Sequence, residues 1–225
     1  NAIQYFKRYK GNLDKDFTSK KIGKEIYDEE KAYVERKLYE CENGKEFISS
    51  PVDVNIENLG EEINSPYGDY VPVVSADEDV LVFTSRRAGG TTDDVDRDNK
   101  YFEDVYISHK VGDAWGYAQN IGEPINTAVH DASSSLSPEG DILYIYNNDK
   151  GGSLNSSKFE EETNGKWGTP KLLPQLKSKS SQETHLTVTA DGKKMIFVSN
   201  RDGGKGMTDL WMVEKDDNGK WKEPV

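Results

Sequence analysis

The stretch Glu183–Val213, ETHLTVTADGKKMIFVSNRDGGKGMTDLWMV, constrains this 225-residue chain more than any other, because the chain carries it in three versions. It reads as strand, turn, strand, loop, strand. His185–Val188 and Met195–Ser199 are short runs rich in β-branched and apolar residues, Thr189-Ala190-Asp191-Gly192 supplies a tight turn, and Asp209–Val213 follows a glycine-rich loop. Val71–Ser85 (VPVVSADEDVLVFTS) and Ser133–Asn147 (SSSLSPEGDILYIYN) align with the first hairpin without gaps, which makes Ser75, Ser137 and Thr189 one common position. Each third strand leads through a turn to a tryptophan: Gly112-Asp113-Ala114-Trp115, Asn164-Gly165-Lys166-Trp167 and Asn218-Gly219-Lys220-Trp221. Asn-Gly suits such a reversal because a type I′ turn needs positive φ at both central residues.

A four-stranded unit of roughly 50 residues, repeated, is the sequence signature of a β-propeller blade. The expected fold is therefore mainly β, with about three blades of a six-bladed ring at 69–121, 131–173 and 183–225, and a short α-helical segment before them. Three strongly twisted sheets do not close a ring, so the reading expects roughly three further blades downstream, or alternatively two copies meeting face to face. The motif Asn58-Leu59-Gly60-Glu61-Glu62-Ile63-Asn64-Ser65 returns as Asn120-Ile121-Gly122-Glu123-Pro124-Ile125-Asn126-Thr127. Only the second copy follows a hairpin, so Val52–Ile56 is expected to be an orphan outer strand that closes the ring by completing the last blade.

Residues 1–46 belong to another structural class. Ala2, Phe6 and Tyr9 share a helical face that Gly11 is expected to end, and a second helix is expected over Thr18–Glu42 with Gly44 as its C-cap. The segment reads either as a helical cap on the propeller or as the end of a tetratricopeptide array. The net charge of −12, from 41 acidic and 29 basic residues, disfavours nucleic acid and anionic membrane surfaces as partners. No apolar run approaches a membrane span, and a single cysteine, Cys41, excludes an internal disulfide and a Cys-rich zinc site.

Repetition helps to separate architecture from chemistry, since a residue that recurs in each blade is expected to be structural. Asp69, Asp131 and Glu183 recur six residues before the common Ser/Thr position. They are expected to bond neighbouring backbone amides; the alternative is the acid/base pair of a propeller-fold glycoside hydrolase. Arg87 with Asp104 and Arg201 with Asp209 recur in the first and third repeats, while the second has Asp149 and about Asn155 there. Two partners that disappear together predict an arginine–carboxylate bridge in the repeats that keep them. One feature breaks the symmetry: the insertion 88–100, AGGTTDDVDRDNK, spaces Asp94, Asp96 and Asp98 like the first half of a calcium loop. Asn99 stands where that loop has its turn glycine and Val105 where it has its bidentate Glu, so the reading is a solvated acidic loop, with a calcium-stabilised binding module as the alternative. His130 and His185 lie near the inner strands without zinc-ligand spacing, and Ser133-Ser134-Ser135 lacks the glycines of a nucleophile elbow. No catalytic residue and no cofactor is expected.

The stretches NLGEEINSPYGDYVPVVSADEDVLVFTSRR, Ile125–Tyr144 and TADGKKMIFVSNRDGGKGMTDLWMVEKDDNGKW resemble the WD-like propeller repeats of TolB-type and Bacteroidota OmpA-family envelope proteins. A helical start followed by such a propeller is similar to the PorE-like layout of the type IX secretion machinery, in which tetratricopeptide repeats and a propeller precede an OmpA-like peptidoglycan-binding domain. The resemblance implies a scaffold that binds envelope proteins in the periplasm beneath the outer membrane. Peptidoglycan contact would come only through a domain that lies outside this sequence.

Overall fold

The computed structural model describes residues 2–149, 152–160, 165–178 and 181–225, and the chain divides into two compact units, Asn1–Glu57 and Asn58–Val225. Asn164, the first residue of the second Asn-Gly turn, lies outside the described residues.

The first unit is a helical hairpin of α1 (Ala2–Thr18) and α2 (Lys24–Ser49). Its seam is thin: Leu13 and Val34 are buried, the rings of Phe17 and Tyr27 stack at 4.2 Å, and Tyr27 donates to Asp14 at 2.9 Å. The helices run past the expected ends at Gly11 and Gly44. A glycine weakens a helix interior by only about 1 kcal/mol, and at Gly11 the burial of Leu13 two residues later offsets that cost. Val52–Ile56, expected as a ring-closing strand, forms none, and Val52, Val54 and Ile56 are all well exposed. An outer strand gains its ladder bonds only from another strand's open edge, and among the described residues this segment pairs with none.

The second unit is all β. Its first sheet holds β1 (Asp69–Val74), β2 (Val80–Ser85), β3 (Asp104–Val111), β4 (Ala114–Trp115) and β5 (Gln119–Asn120). Its second holds β6 (Asp131–Leu136), β7 (Ile142–Asn147), β8 (Ser153–Glu160), β9 (Lys166–Trp167) and β10 (Lys171–Leu172). The third is β11 (Glu183–Val188), β12 (Lys194–Ser199) and β13 (Asp209–Glu214). All described strand pairs are antiparallel, and each first strand carries a register shift at the same place, Tyr70/Val73, Ser133/Ser135 and Glu183/Leu186. The expected fourth strand is split in two by Gly116 and Gly168, whose N–H groups still bond back to His109 and Lys158 on the third strand. In the third sheet Val225 begins the same outer pairing, exchanging two 2.9 Å bonds with Met212.

The three sheets stack in series with their first strands side by side, β6 touching both β1 and β11, an arrangement that fits part of a β-propeller. One apolar core lies between the first two sheets, where Val82 and Val105 meet Ile125, Leu136, Leu143 and Ile145. A second lies between the next two, where Tyr144 and Leu154 meet Leu176, Leu186, Met195 and Phe197. Fully burying a side chain of this size stabilises by roughly 1.5–3 kcal/mol, so each blade's two faces are made stable by its neighbours. Serines close the seam near the inner strands. Ser133 Oγ donates to Val71 O at 2.9 Å and its N–H donates to Thr84 Oγ1, while Ser134 Oγ bonds both the N–H and the carbonyl of Leu186. The serine run that resembles no nucleophile elbow is thus an inter-blade fastener.

Candidate functional site

The approach to each blade is a small hydrogen-bonded device written in the repeated motif. Asn120 Oδ1 accepts the Gly122 N–H at 2.8 Å, and the turn then brings the Ile125 and Asn126 N–H groups back to the Gly122 carbonyl. Gly122 has φ of 76°, as Gly60 has 83° in the first copy, a left-handed backbone that glycine adopts without strain. Ile125 plugs the inter-blade core. Asn126, fully buried, reaches across to Val105, donating to its carbonyl at 2.9 Å and accepting its N–H at 2.8 Å, as a neighbouring strand would.

The motif ends on the carboxylate anchors. Asp69 Oδ2 accepts both the N–H (2.7 Å) and the hydroxyl (2.8 Å) of Ser65. Asp131 Oδ2 does the same with Thr127, at 2.6 and 2.7 Å. Glu183 is held instead by side chains, the hydroxyls of Ser181 and Ser199 and the guanidinium of Arg201. Each lies in its own blade, and no two of them bond to one another or to a shared donor. Burial pushes Asp69 up, but bonds from Ser85, Arg87 and Ser65 outweigh it and hold its carboxyl below the ordinary value. Burial of Asp131, beside which the described residues place no cation, wins over its bonds to Thr127 and Asn147 and raises its carboxyl.

The arginine pairing differs from the sequence expectation. Arg87 does not reach Asp104; its Nη2 meets Asp69 Oδ1 at 2.8 Å. Arg201 likewise meets Glu183, at 3.2 Å, and not Asp209. Asp104 and Asp209 lie opposite Ser85 and Ser199 at the start of the third strand, and each turns back to hold the preceding loop. Asp104 Oδ2 accepts from the Thr91 N–H and Asn120, and Asp209 Oδ2 accepts from the N–H groups of Lys205 and Gly206. Gly90 and Gly204 pass so close to these carboxylates that a Cβ on either would collide with them.

The strand register also replaces the expected match in blade two, since Ser153, not Asn155, occupies the Asp104 position. What blade two loses together with its arginine is an aromatic platform. Arg87 stacks over Tyr106 at 4.5 Å and Phe83 at 5.2 Å, and Arg201 over Phe197 at 4.6 Å and Trp211 at 5.3 Å. At the corresponding places blade two has Ile145 and Asn155, and Asn147 supplies the donor to Asp131 in place of the Ser–Arg pair.

The symmetry-breaking insertion lies between β2 and β3. Its tip is closed by the Val95–Tyr101 bridge and by Asn99, at φ of 58°, whose N–H donates to Asp96 O. Asp98 receives two bonds from Arg86, at 2.7 and 2.9 Å, and Arg86 Nε donates to Tyr101 O at 2.6 Å. Asp96 faces His130 Nε2 at 3.1 Å. Arg86 takes up Asp98 and His130 faces Asp96, and among the described residues no group of three acids, histidines or cysteines is placed to hold a metal. Beside the insertion is a cleft of about 410 Å³ walled by Tyr67, Tyr70, Tyr101, Arg86 and Lys100. Sequence reasoning misses Arg86, Tyr70 and Glu103. The one available signal is a second arginine next to Arg87, present in the blade that carries the insertion.

No protein-family model matches the chain, and no curated protein matches it. Among solved structures it is similar to TolB from Acinetobacter baumannii, at 18% identity and a TM-score of 0.41, covering 67% of this chain and 30% of that one. A TolB candidate from Agrobacterium tumefaciens matches at 14% identity and a TM-score of 0.38, over 71% of this chain and 62% of that one. A candidate 6-phosphogluconolactonase from Bacteroides fragilis matches at 16% identity and 0.40, over 76% and 44%. The chain thus spans less than two thirds of each of these proteins. None reaches a TM-score of 0.5, and the blade arrangement rests on this chain's own strand pairing.

Proposed function

We propose that this chain is a non-catalytic, protein-binding scaffold of the cell envelope, with a propeller segment presenting its loops to other envelope proteins. The observation that carries the reading is the state of the recurring carboxylates. Asp69, Asp131 and Glu183 are buried or nearly so, and each is consumed by hydrogen bonds within its own blade. A glycosidase needs two carboxyls a fixed short distance apart across a substrate, with at least one free to exchange protons. Rigid sheets that hold loops of unequal length suit recognition instead, because loop variation changes specificity without touching the core.

No described helix is long and apolar enough to cross a membrane. The net charge of −12 favours partners with basic surfaces. In its finer form the proposal places the protein in the periplasm, associated with the outer membrane, in an OmpA-family assembly of the type IX secretion kind. Proximity labelling from the chain in its native cell tests this, with recovery of outer-membrane and periplasmic proteins expected. Exclusive labelling of cytoplasmic proteins would overturn it. The enzyme alternative has its own test: turnover of chromogenic glycosides that disappears in Asp131→Asn would replace the scaffold reading with a hydrolase.

A further inference from the structure

In blade two, where the described residues place no arginine on the recurring carboxylate, a cleft of about 420 Å³ opens. The residues that line it are the counterparts of those that seat the arginines in the other blades. Strand register places Ile145 where blades one and three have Phe83 and Phe197, and Asn155 where they have Tyr106 and Trp211. Asn147 stands in the place of Ser85 and Ser199, and Asp149, two residues on, in the place of Arg87 and Arg201. Ile125 holds the motif position of Ile63, whose carbonyl receives Arg87 as that of Leu176 receives Arg201. The cleft therefore lies where a stacked guanidinium sits in the neighbouring blades.

An isoleucine and an asparagine in place of two aromatic rings, and an aspartate in place of an arginine, vacate that space. What remains in the walls is mainly acceptors. Among the described residues nothing donates to the Ile125 carbonyl. Asn155 turns its NH2 to the carbonyl and hydroxyl of Ser153, at 3.1 and 3.0 Å, which leaves its amide oxygen to the cleft. Asp149 adds an exposed negative rim, and Asp131 lies one hydrogen bond behind Asn147. A guanidinium carries five donors and no acceptor, in a fork that meets several acceptors at once. Lys177 also lines the cleft, but it is exposed, and its long stem lets the ammonium stay in water.

We propose that this cleft is a socket for an arginine side chain of a partner protein, which completes from outside the arrangement that Arg87 and Arg201 complete from within. The partner rests on the scaffold reading above; the socket does not. A net charge of −12 favours a partner with a basic surface. Without rings beneath it, the guest is held by hydrogen bonds and charge more than by stacking.

Nα-acetyl-arginine amide, titrated into the intact chain and followed by NMR at the side-chain amides of Asn147 and Asn155, tests the socket without a partner. Saturable shifts are expected, with the matching lysine derivative at least about tenfold weaker. The Asp131 carboxyl, raised by burial in the free chain, should titrate lower with the arginine derivative bound, because a nearby cation favours the ionised form. Asp149→Arg, at an exposed position where folding is not at stake, should abolish binding by supplying the guanidinium from within. Asp113→Arg makes the same change in net charge on an exposed turn of blade one and should bind as the wild type does. Shifts that do not saturate, equal binding of the lysine derivative, or an unmoved Asp131 would each overturn the socket. So would wild-type binding in Asp149→Arg or lost binding in Asp113→Arg. None of these failures touches the scaffold reading, which falls instead to the labelling and glycoside tests.

Discussion

Arg87 Nη2 lies 2.8 Å from Asp69 Oδ1 and also 2.8 Å from the carbonyl oxygen of Ile63. One guanidinium therefore ties the first residue of the innermost strand to the loop that approaches it, while its flat face rests on Tyr106 and Phe83. The same three-way arrangement recurs at Arg201, with Glu183, the Leu176 carbonyl and the rings of Phe197 and Trp211. The ion pair, the loop tether and the cation–π stack act through a single side chain, so substitutions there remove all three together.

Arg87→Met should destabilise the second unit by about 3–5 kcal/mol, because it strands a largely buried carboxylate and leaves the Ile63 carbonyl without its donor. Arg87→Lys should recover only part of that loss, since a point-charge ammonium cannot hold both acceptors and stack on two rings. Urea unfolding of the three proteins decides it. A lysine variant as stable as the wild type would show that charge alone matters here.

Asp69 and Asp131 sit at one repeat position and should titrate in opposite senses. The Asp69 carboxyl is lowered, so its contribution is present above the unfolded value of about 3.9 and lost as pH falls through the lower folded value. The Asp131 carboxyl is raised, so its contribution is complete below about 3.9 and lost as pH rises through the higher folded value. Asp69→Asn should therefore lose stability mainly at neutral pH and little in acid. Asp131→Asn, which cannot ionise, should show a smaller decline from acid to neutral pH than the wild-type chain. Stability against pH from equilibrium denaturation gives both curves, and parallel curves for the two variants would contradict the assignment.

Asn126 imitates a strand. Its amide pairs with both the N–H and the carbonyl of Val105, neither side chain being exposed. Asn126→Ala leaves the buried Val105 N–H without a partner, while the Val105 carbonyl keeps the Ile121 N–H at 3.1 Å, and should destabilise by about 1–3 kcal/mol. Asn126→Asp keeps the acceptor for the Val105 N–H but sets a carboxylate oxygen against the Val105 carbonyl, so it should be no better than alanine. Thermal melts of the pair check this; an aspartate variant close to wild type would mean that water replaces the lost donor.

The strand-turn-strand units are legible in the chain because period-two patterning and Asp-Gly or Asn-Gly turns are local signals. The motif Asn120–Thr127 is legible as a repeat, but the bond that gives Asn126 its role runs to Val105, and no local pattern encodes a cross-loop partner. Arg87 stands out in the sequence through its joint disappearance with a carboxylate in blade two. Its partner is not legible, because two carboxylates, Asp69 and Asp104, recur with it, and sequence cannot say which one faces the guanidinium. Strand register decides it. Asp104 pairs with Ser85 at the top of the strand and is turned into the Gly90 loop, which leaves Asp69 to the arginine. The contact between His130 and Asp96 is illegible for a similar reason: the two are neighbours only because an insertion in one blade folds over the start of the next.

Leu154 and Leu210 hold the same register position in successive blades, each paired with the next-to-last residue of the second strand, yet Leu154 is 3% exposed and Leu210 is 75% exposed. The difference comes from stacking. Blade three covers Leu154 with Leu186, Met195 and Phe197, whereas the face of blade three that carries Ile196 and Leu210 is open in this chain. Leu154→Ala should cost about 2–5 kcal/mol through lost burial and a residual cavity, and Leu210→Ala should stay within about 0.5 kcal/mol of the wild type, as surface substitutions do. Chemical denaturation of the two variants under identical conditions measures the contrast. Leu210→Lys adds a second readout, because an open apolar face promotes association: it should lower any self-association seen by sedimentation without lowering stability. Should Leu210→Ala cost as much as Leu154→Ala, the face is covered in solution, and the stacking order inferred from the two inner cores would have to extend to a third.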